Sequence, residues 1–215
     1  MERRTVLNGV AALLGGAALG VGRGGAAEPA AVDLMLVLAA DVSHSITDEK
    51  YELQRKGYAS AMADPEVMHW WSRGPFASVE ELRAYLADMR LGQRAWAAVR
   101  AGETAAIGFV YVGERRPGVS EIGYLFARAT WGSGVARESV SAVIAQLFGE
   151  GTRRLFADID PDAVASARLL ERIGFTCEGW LRAEWETHIG VRDTLIYAML
   201  RSEWLARDAA MSGRQ

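Results

Sequence analysis

The sequence predicts an α/β fold: a mixed sheet, antiparallel in its front half, with helices on both faces. Three observations point to it. From about residue 94 onward, apolar runs of strand length and amphipathic runs of helix length follow one another in the order βββαβαββ. Short turns around Ala101-Gly102-Glu103 and from Gly113 to Gly118 separate the first three strands, which suits antiparallel hairpins. The helices also begin and end on expected residues: Ser78 with Glu81 as a capping box, Gly134 as a start and Gly174 as a stop.

In chain order, the pattern gives a strand near 34–40, ending on Asp41. A helix follows from about 47 to 63, started by Thr47 with Asp48 and Glu49 behind it. A second helix covers Ser78–Arg90. Strands are expected at Arg94–Arg100, Ala105–Val112 and Ser120–Ala127, then a helix Gly134–Phe148 and a strand Arg154–Ile159. A helix Ala163–Ile173 and two closing strands, Thr176–Glu186 and Asp193–Leu200, complete the domain, with 206–215 as a tail. Tyr197 and Cys177 read as core positions, and His69 and His188 as lone histidines without catalytic company.

Composition narrows the function classes. The chain has 215 residues, is half hydrophobic and carries a net charge of −3, which excludes a disordered chain and gives no nucleic-acid surface. A single cysteine excludes a disulfide scaffold and any cysteine-rich metal centre. Lys50 and Lys56 are the only lysines among 24 basic residues, and the arginines are scattered rather than clustered.

Residues 1–27 carry Arg3-Arg4, a weakly apolar run from Val10 to Val21 and small residues at 25–27. This is the layout of an export signal and resembles a twin-arginine leader, or else a disordered extension; no stable membrane association is expected. Asp41-Val42-Ser43-His44-Ser45, at the end of an apolar strand, resembles the first metal motif of von Willebrand factor A-like domains. The preferred reading is a strand-to-helix turn capped by Ser and Asp, and no metal is expected. On this reading residues 28–64 fill the first strand and helix places of the domain that follows, 65–205.

The chemistry lies in two motifs. Trp131-Gly132-Ser133-Gly134-Val135-Ala136 joins a strand to a helix start, where converging N–H groups and the helix dipole suit a phosphate. Downstream come Asp160-Pro161-Asp162-Ala163-Val164-Ala165-Ser166, then Leu169 to Phe175, and Glu178-Gly179. Together with Asp64-Pro65-Glu66-Val67-Met68, Glu121-Ile122-Gly123-Tyr124 and Leu195-Ile196-Tyr197-Ala198, these segments resemble the GNAT acetyltransferase superfamily. The likeness is to the branch that acetylates ribosomal-protein N-termini.

The resemblance implies acetyl transfer from acetyl-CoA to a primary amine on a protein N-terminus or a small molecule. The strand bearing Leu125, Phe126 and Ala127 would offer backbone groups to the pantetheine arm, and the turn 131–136 would hold the pyrophosphate. Glu121 is the expected base, and Ser166 would contact the arm or protonate the thiolate. Two positions depart from the family: Ala163 stands where Asn is usual, and Leu170 where many relatives carry a tyrosine acid. Those losses leave room for a CoA- or peptide-binding module without turnover, and the first 64 residues for an exported metal-dependent adhesion-type protein. Use of acetyl-CoA favours the cytoplasm; a cleaved leader would favour the periplasm.

Overall fold

Eight strands make one sheet in the order β1-β2-β3-β4-β5-β6-β8-β7 in a computed structural model that describes residues 7–8, 34–38, 61–78, 80–81, 93–101, 103 and 105–212. The strands are β1 Leu7–Asn8, β2 Leu34–Leu38, β3 Gln93–Arg100, β4 Ala106–Arg116, β5 Val119–Phe126, β6 Arg154–Ile159, β7 Thr176–Thr187 and β8 Gly190–Leu200. The helices are α1 Pro65–Met68, α2 Val135–Gly149, α3 Val164–Ile173 and α4 Arg201–Ser212.

β2, β3, β4 and β5 run antiparallel to one another in turn, and β2 lies along β3 with Leu34 opposite Arg100 and Leu38 opposite Trp96. The two residues of β1 pair parallel with β2. Of the helix expected over 47–63 only its end is described, and of Ser78–Arg90 only the first residues; the rest lie outside the described residues. At that start, Ser78 Oγ accepts the Glu81 N–H at 3.1 Å. The Glu81 carboxylate reaches back to the Ala77 N–H at 2.8 Å, so the cap forms one residue further out than a strict box.

Two faces of the sheet are covered differently. Trp96, Val110, Ile122 and Phe126 face one side, where α2 packs with Val140, Val143, Ile144 and Leu147 at helical spacing. Leu170 and Ile173 of α3 complete that core. On the other face Phe109 and Leu125 pack against Met62, Met68 and Phe76. α1 is fastened there: Asp64 caps it through the Glu66 N–H, and Arg128 pairs with both Asp64 and Glu66 at 3.1 and 3.2 Å.

Three expectations need correction. β4 does not stop at Val112: Gly113 is a buried rung opposite Glu121, and the turn is only Pro117-Gly118, with Gly118 at a positive φ of 71°. Residues 206–212 are no tail but the end of α4, which is held by the Arg201 Nε bond to the Phe148 carbonyl at 2.7 Å and by Trp204 against Phe148. Cys177 is exposed, because β7 is the sheet's last strand and its side chain meets no covering layer. Tyr197 is in the core, as expected.

Leu170 is wholly buried. Replacing it with Ala leaves a cavity, and the expected cost is about 2–5 kcal/mol in urea unfolding. A loss under about 0.5 kcal/mol would show that α3 is not packed as described.

Candidate active site

The site begins where two strands part. β5 and β6 are parallel neighbours but share only three rungs, Val119–Arg154, Ser120–Leu155 and Glu121–Phe156. Beyond them β5 continues along β4, while β6 stays with β8, whose partner for Asp158 is Ile196. The wedge between them is a cavity of about 810 Å³, lined by Ile122 to Phe126 on one wall and Ala157 to Asp160 on the other. Strand backbone on both walls is left without a ladder partner there.

Alternation decides which groups face the wedge. The Ala127 N–H donates to the Ile107 carbonyl of β4 at 2.9 Å, so Leu125 also directs its backbone to β4, while Tyr124 and Phe126 direct theirs to the opening. Ala127 is closed off entirely, since its carbonyl accepts from Thr130. The Phe126 carbonyl accepts the Trp131 indole N–H at 3.0 Å, and the Trp131 ring stands half exposed at the rim. Of the three residues expected to offer backbone, Phe126 retains its N–H for that purpose.

At the wide end lies the glycine turn. Gly132 and Gly134 have φ of 73° and 88°, a region costly for residues with a Cβ, and open space surrounds both. Gly134 caps α2 without a side chain, which leaves the first-turn N–H groups from Val135 onward to an outside acceptor. Val135 is buried beneath the turn, Ala136 lines the cavity, and Ser133 turns its hydroxyl back to the Thr130 carbonyl. Arg137, Arg168 and Arg172 also line the cavity, and among the described residues none of them forms an ion pair. Glycine backbone, a helix N-terminus and three cations together suit a polyphosphate.

Ser166 and Ala163 line the α3 side, Ala163 buried and supplying no side-chain cap. The Tyr124 hydroxyl crosses the wedge to the Ser166 carbonyl at 3.4 Å; burial holds this phenol protonated far above the usual range. Leu170, at the position of the family's tyrosine, is sealed in the core.

The narrow end is acidic, and its acids are not equivalent. Glu121 does not reach the cavity wall: its carboxylate accepts the Tyr111 hydroxyl at 2.8 Å and Arg115 Nε at 2.6 Å. Asp160 and Asp162 share the fork of Arg192, with bonds of 2.6–2.9 Å that tie β8 to the start of α3. Asp158 is on the wall, and among the described residues no ion pair closes on it. Burial, reinforced by the negative Glu121, raises its carboxyl to about 6, against a hydrogen bond from Trp185. Sequence reading passed over Asp158, whose setting depends on Glu121, 37 positions earlier, and Trp185, 27 positions later. His69 edges Trp70, and His188 lies exposed near Gly74. No group of three or more potential metal ligands occurs among the described residues, and no described helix is long and apolar enough to cross a membrane.

A split parallel pair with an anion cradle at one end and carboxylates at the other defines a group-transfer enzyme built on a strand wedge. Residues 50–176 match the Acetyltransferase (GNAT) domain family, and the chain belongs to it. The match begins inside the stretch likened to a von Willebrand segment, so residues 50–64 align with the acetyltransferase. The uncharacterized N-acetyltransferase p20 of Bacillus licheniformis is 29% identical over 151 residues, covering 66% of this chain and 84% of that one. Among solved structures, a GNAT-family acetyltransferase from Bacillus anthracis superposes with a TM-score of 0.65 at 22% identity, over 79% of this chain and 96% of that one. The spermidine N-acetyltransferase of Vibrio cholerae, in complex with CoA and spermine, does so with 0.66 at 19%, over 80% and 98%. At those identities the two structures speak for the fold. The protein is an acetyltransferase of this family.

The raised Asp158 carboxyl also bears on stability. A folded-state value near 6 exceeds the ordinary Asp value of about 3.9, so the folded protein binds this proton more tightly than the unfolded chain. The stabilisation is complete below about pH 4 and is lost as pH rises through 6. Asp158→Asn should therefore melt higher than wild type at pH 7.5, and the two should converge at pH 4. An equal gap at both pH values would show that Asp158 titrates normally.

Proposed function

We propose that the protein transfers the acetyl group of acetyl-CoA to a primary amine by direct attack of the amine on the thioester. The single observation that carries this reading is the wedge, which has an anion cradle at one end, unladdered backbone between its walls and carboxylates at the other. The cradle 131–136, with Arg137 beside it, would take the pyrophosphate; the Phe126 N–H and the Tyr124 backbone would take the amides of the pantetheine arm. Ser166 and Tyr124 would stand where the sulfur leaves, a reading supported by their meeting across the wedge, and the phenol that burial keeps protonated would be the better donor of the two. That places a hydroxyl acid on β5 in a chain whose family tyrosine position is Leu170.

The acceptor reaches the thioester from the face of Trp70, Trp71 and Asp158, which suits an amine that arrives as a cation. A small amine and a peptide N-terminus, as in the ribosomal-protein branch, both meet that requirement; the complex of the Vibrio cholerae relative with spermine favours the small amine. Residues 28–64 act as the first strand and helix of the same domain, a reading supported by the pairing of β2 with β3. Acetyl-CoA as donor argues for action in the cytoplasm.

Gly134→Asp sets a carboxylate and a strained backbone against the cradle. Calorimetry of the full chain should show acetyl-CoA affinity at least tenfold weaker, about 1.4 kcal/mol. Unchanged affinity in a folded variant would move the donor site elsewhere. Thiol release with a panel of polyamines and peptide amines then reads the acceptor class.

A further inference from the structure

We propose that Asp158 is the group that takes the proton from the incoming ammonium, with Glu121 acting only through it; this rests on the acetyl-transfer reading above. The geometry separates the two carboxylates. Glu121 is spent on Arg115 and Tyr111 and lies off the cavity wall. Asp158 sits two residues beyond the last β5–β6 rung, on the wall of the wedge.

Its surroundings come from four strands. β4 supplies Arg115 and Tyr111, β5 supplies Glu121, β8 supplies its ladder partner Ile196, and β7 supplies Glu184 and Trp185. Trp185, without a charge of its own, favours the ionised carboxylate and so works against burial there. β7 is shaped for this contact: between Leu181–Thr194 and Trp185–Arg192 three residues face the single Asp193. The excess is taken up at Ala183, with φ of 52°, whose N–H donates to Asp193 Oδ1 at 2.8 Å. Trp180 Nε1 donates to the other oxygen at 2.8 Å, so Asp193 holds the bulge on both sides. A bulge next to a site re-aims the side chain that follows it, here Trp185.

Burial and the Glu121 charge raise the Asp158 carboxyl to about 6, nearer the amine than an ordinary carboxylate and still ionised at neutral pH. The step balances as follows. The Asp158 carboxylate takes one proton from R–NH3+, leaving R–NH2, whose lone pair forms the C–N bond to the thioester carbonyl carbon. The C–S bond breaks, its electron pair leaves on sulfur, and the second nitrogen proton goes to that thiolate, by way of the Tyr124 hydroxyl. Asp158 then releases its proton to water.

The test is the pH–rate profile of kcat/KM for the full chain with acetyl-CoA and a turned-over amine. Asp158→Asn should lose roughly 10²–10⁴-fold and its acid limb near pH 6, with acetyl-CoA affinity unchanged. Glu121→Gln should keep most of the rate and shift the acid limb to lower pH, because the charge that raises Asp158 is gone. Asp158→Glu should recover part of the loss. NMR titration of the Asp158 carboxyl in wild type should give a midpoint near 6, and a midpoint near 4 would overturn the proposal even if Asp158→Asn failed to fold. Turnover in wild type that Asp158→Asn leaves untouched defeats this proposal alone. No turnover of any amine by wild type defeats the acetyl-transfer reading and this proposal with it.

Discussion

Everything at the site follows from the shortness of one strand ladder. Two parallel strands that stayed paired would satisfy each other's backbone and close the sheet; β5 and β6 part after three rungs. They are pulled apart by stronger commitments elsewhere, β5 to eight rungs with β4 and β6 to six with β8. The unpaired backbone in the gap must find a partner from outside the chain or remain solvated. A flexible arm carrying amides is the natural partner, and the gap fixes where its reactive end comes to rest.

The two ends of the wedge are then set by opposite electrostatics. α2 starts at the wide end on glycines, and Arg137 of α2 with Arg168 and Arg172 of α3 line the cavity without an ion pair among the described residues. On the carboxylate side arginines are paired, Arg115 with Glu121 and Arg192 with Asp160 and Asp162, while Arg128, just before the glycine turn, is held by Asp64 and Glu66. These five ion pairs, made by three partly exposed arginines, add little to stability. Their larger effect is to fix β4, β8 and α1 around the wall carboxylate Asp158, on which no ion pair closes among the described residues.

Much of this was legible in the sequence because it depends on neighbours along the chain. β6 and the helices over 135–149 and 164–173 fall within a residue of their expected bounds, since apolar spacing, the start at Gly134 and the stop at Gly174 are local. The glycine cradle was legible for the same reason. What was not legible depends on the third dimension. Gly113 looks like a turn residue until the β4–β5 register places it on a rung, and α4 looks like a tail until Phe148 offers Trp204 and Arg201 a seat. Glu121 reads as a free base until β4 folds Arg115 and Tyr111 onto it. Asp158 reads as one strand carboxylate among several until β5 and β7 close around it.

The central claim is that the wedge between β5 and β6 receives the donor. Amide hydrogen exchange on the full chain, with and without saturating acetyl-CoA, tests it most directly. The account predicts added protection at peptides over 122–126 and 131–137 and, beside them, only along the wedge's other lining stretches on β6 and α3, with β3 and β7 unchanged. Protection that appears elsewhere, or none at these two stretches while acetyl-CoA is demonstrably bound, would contradict it.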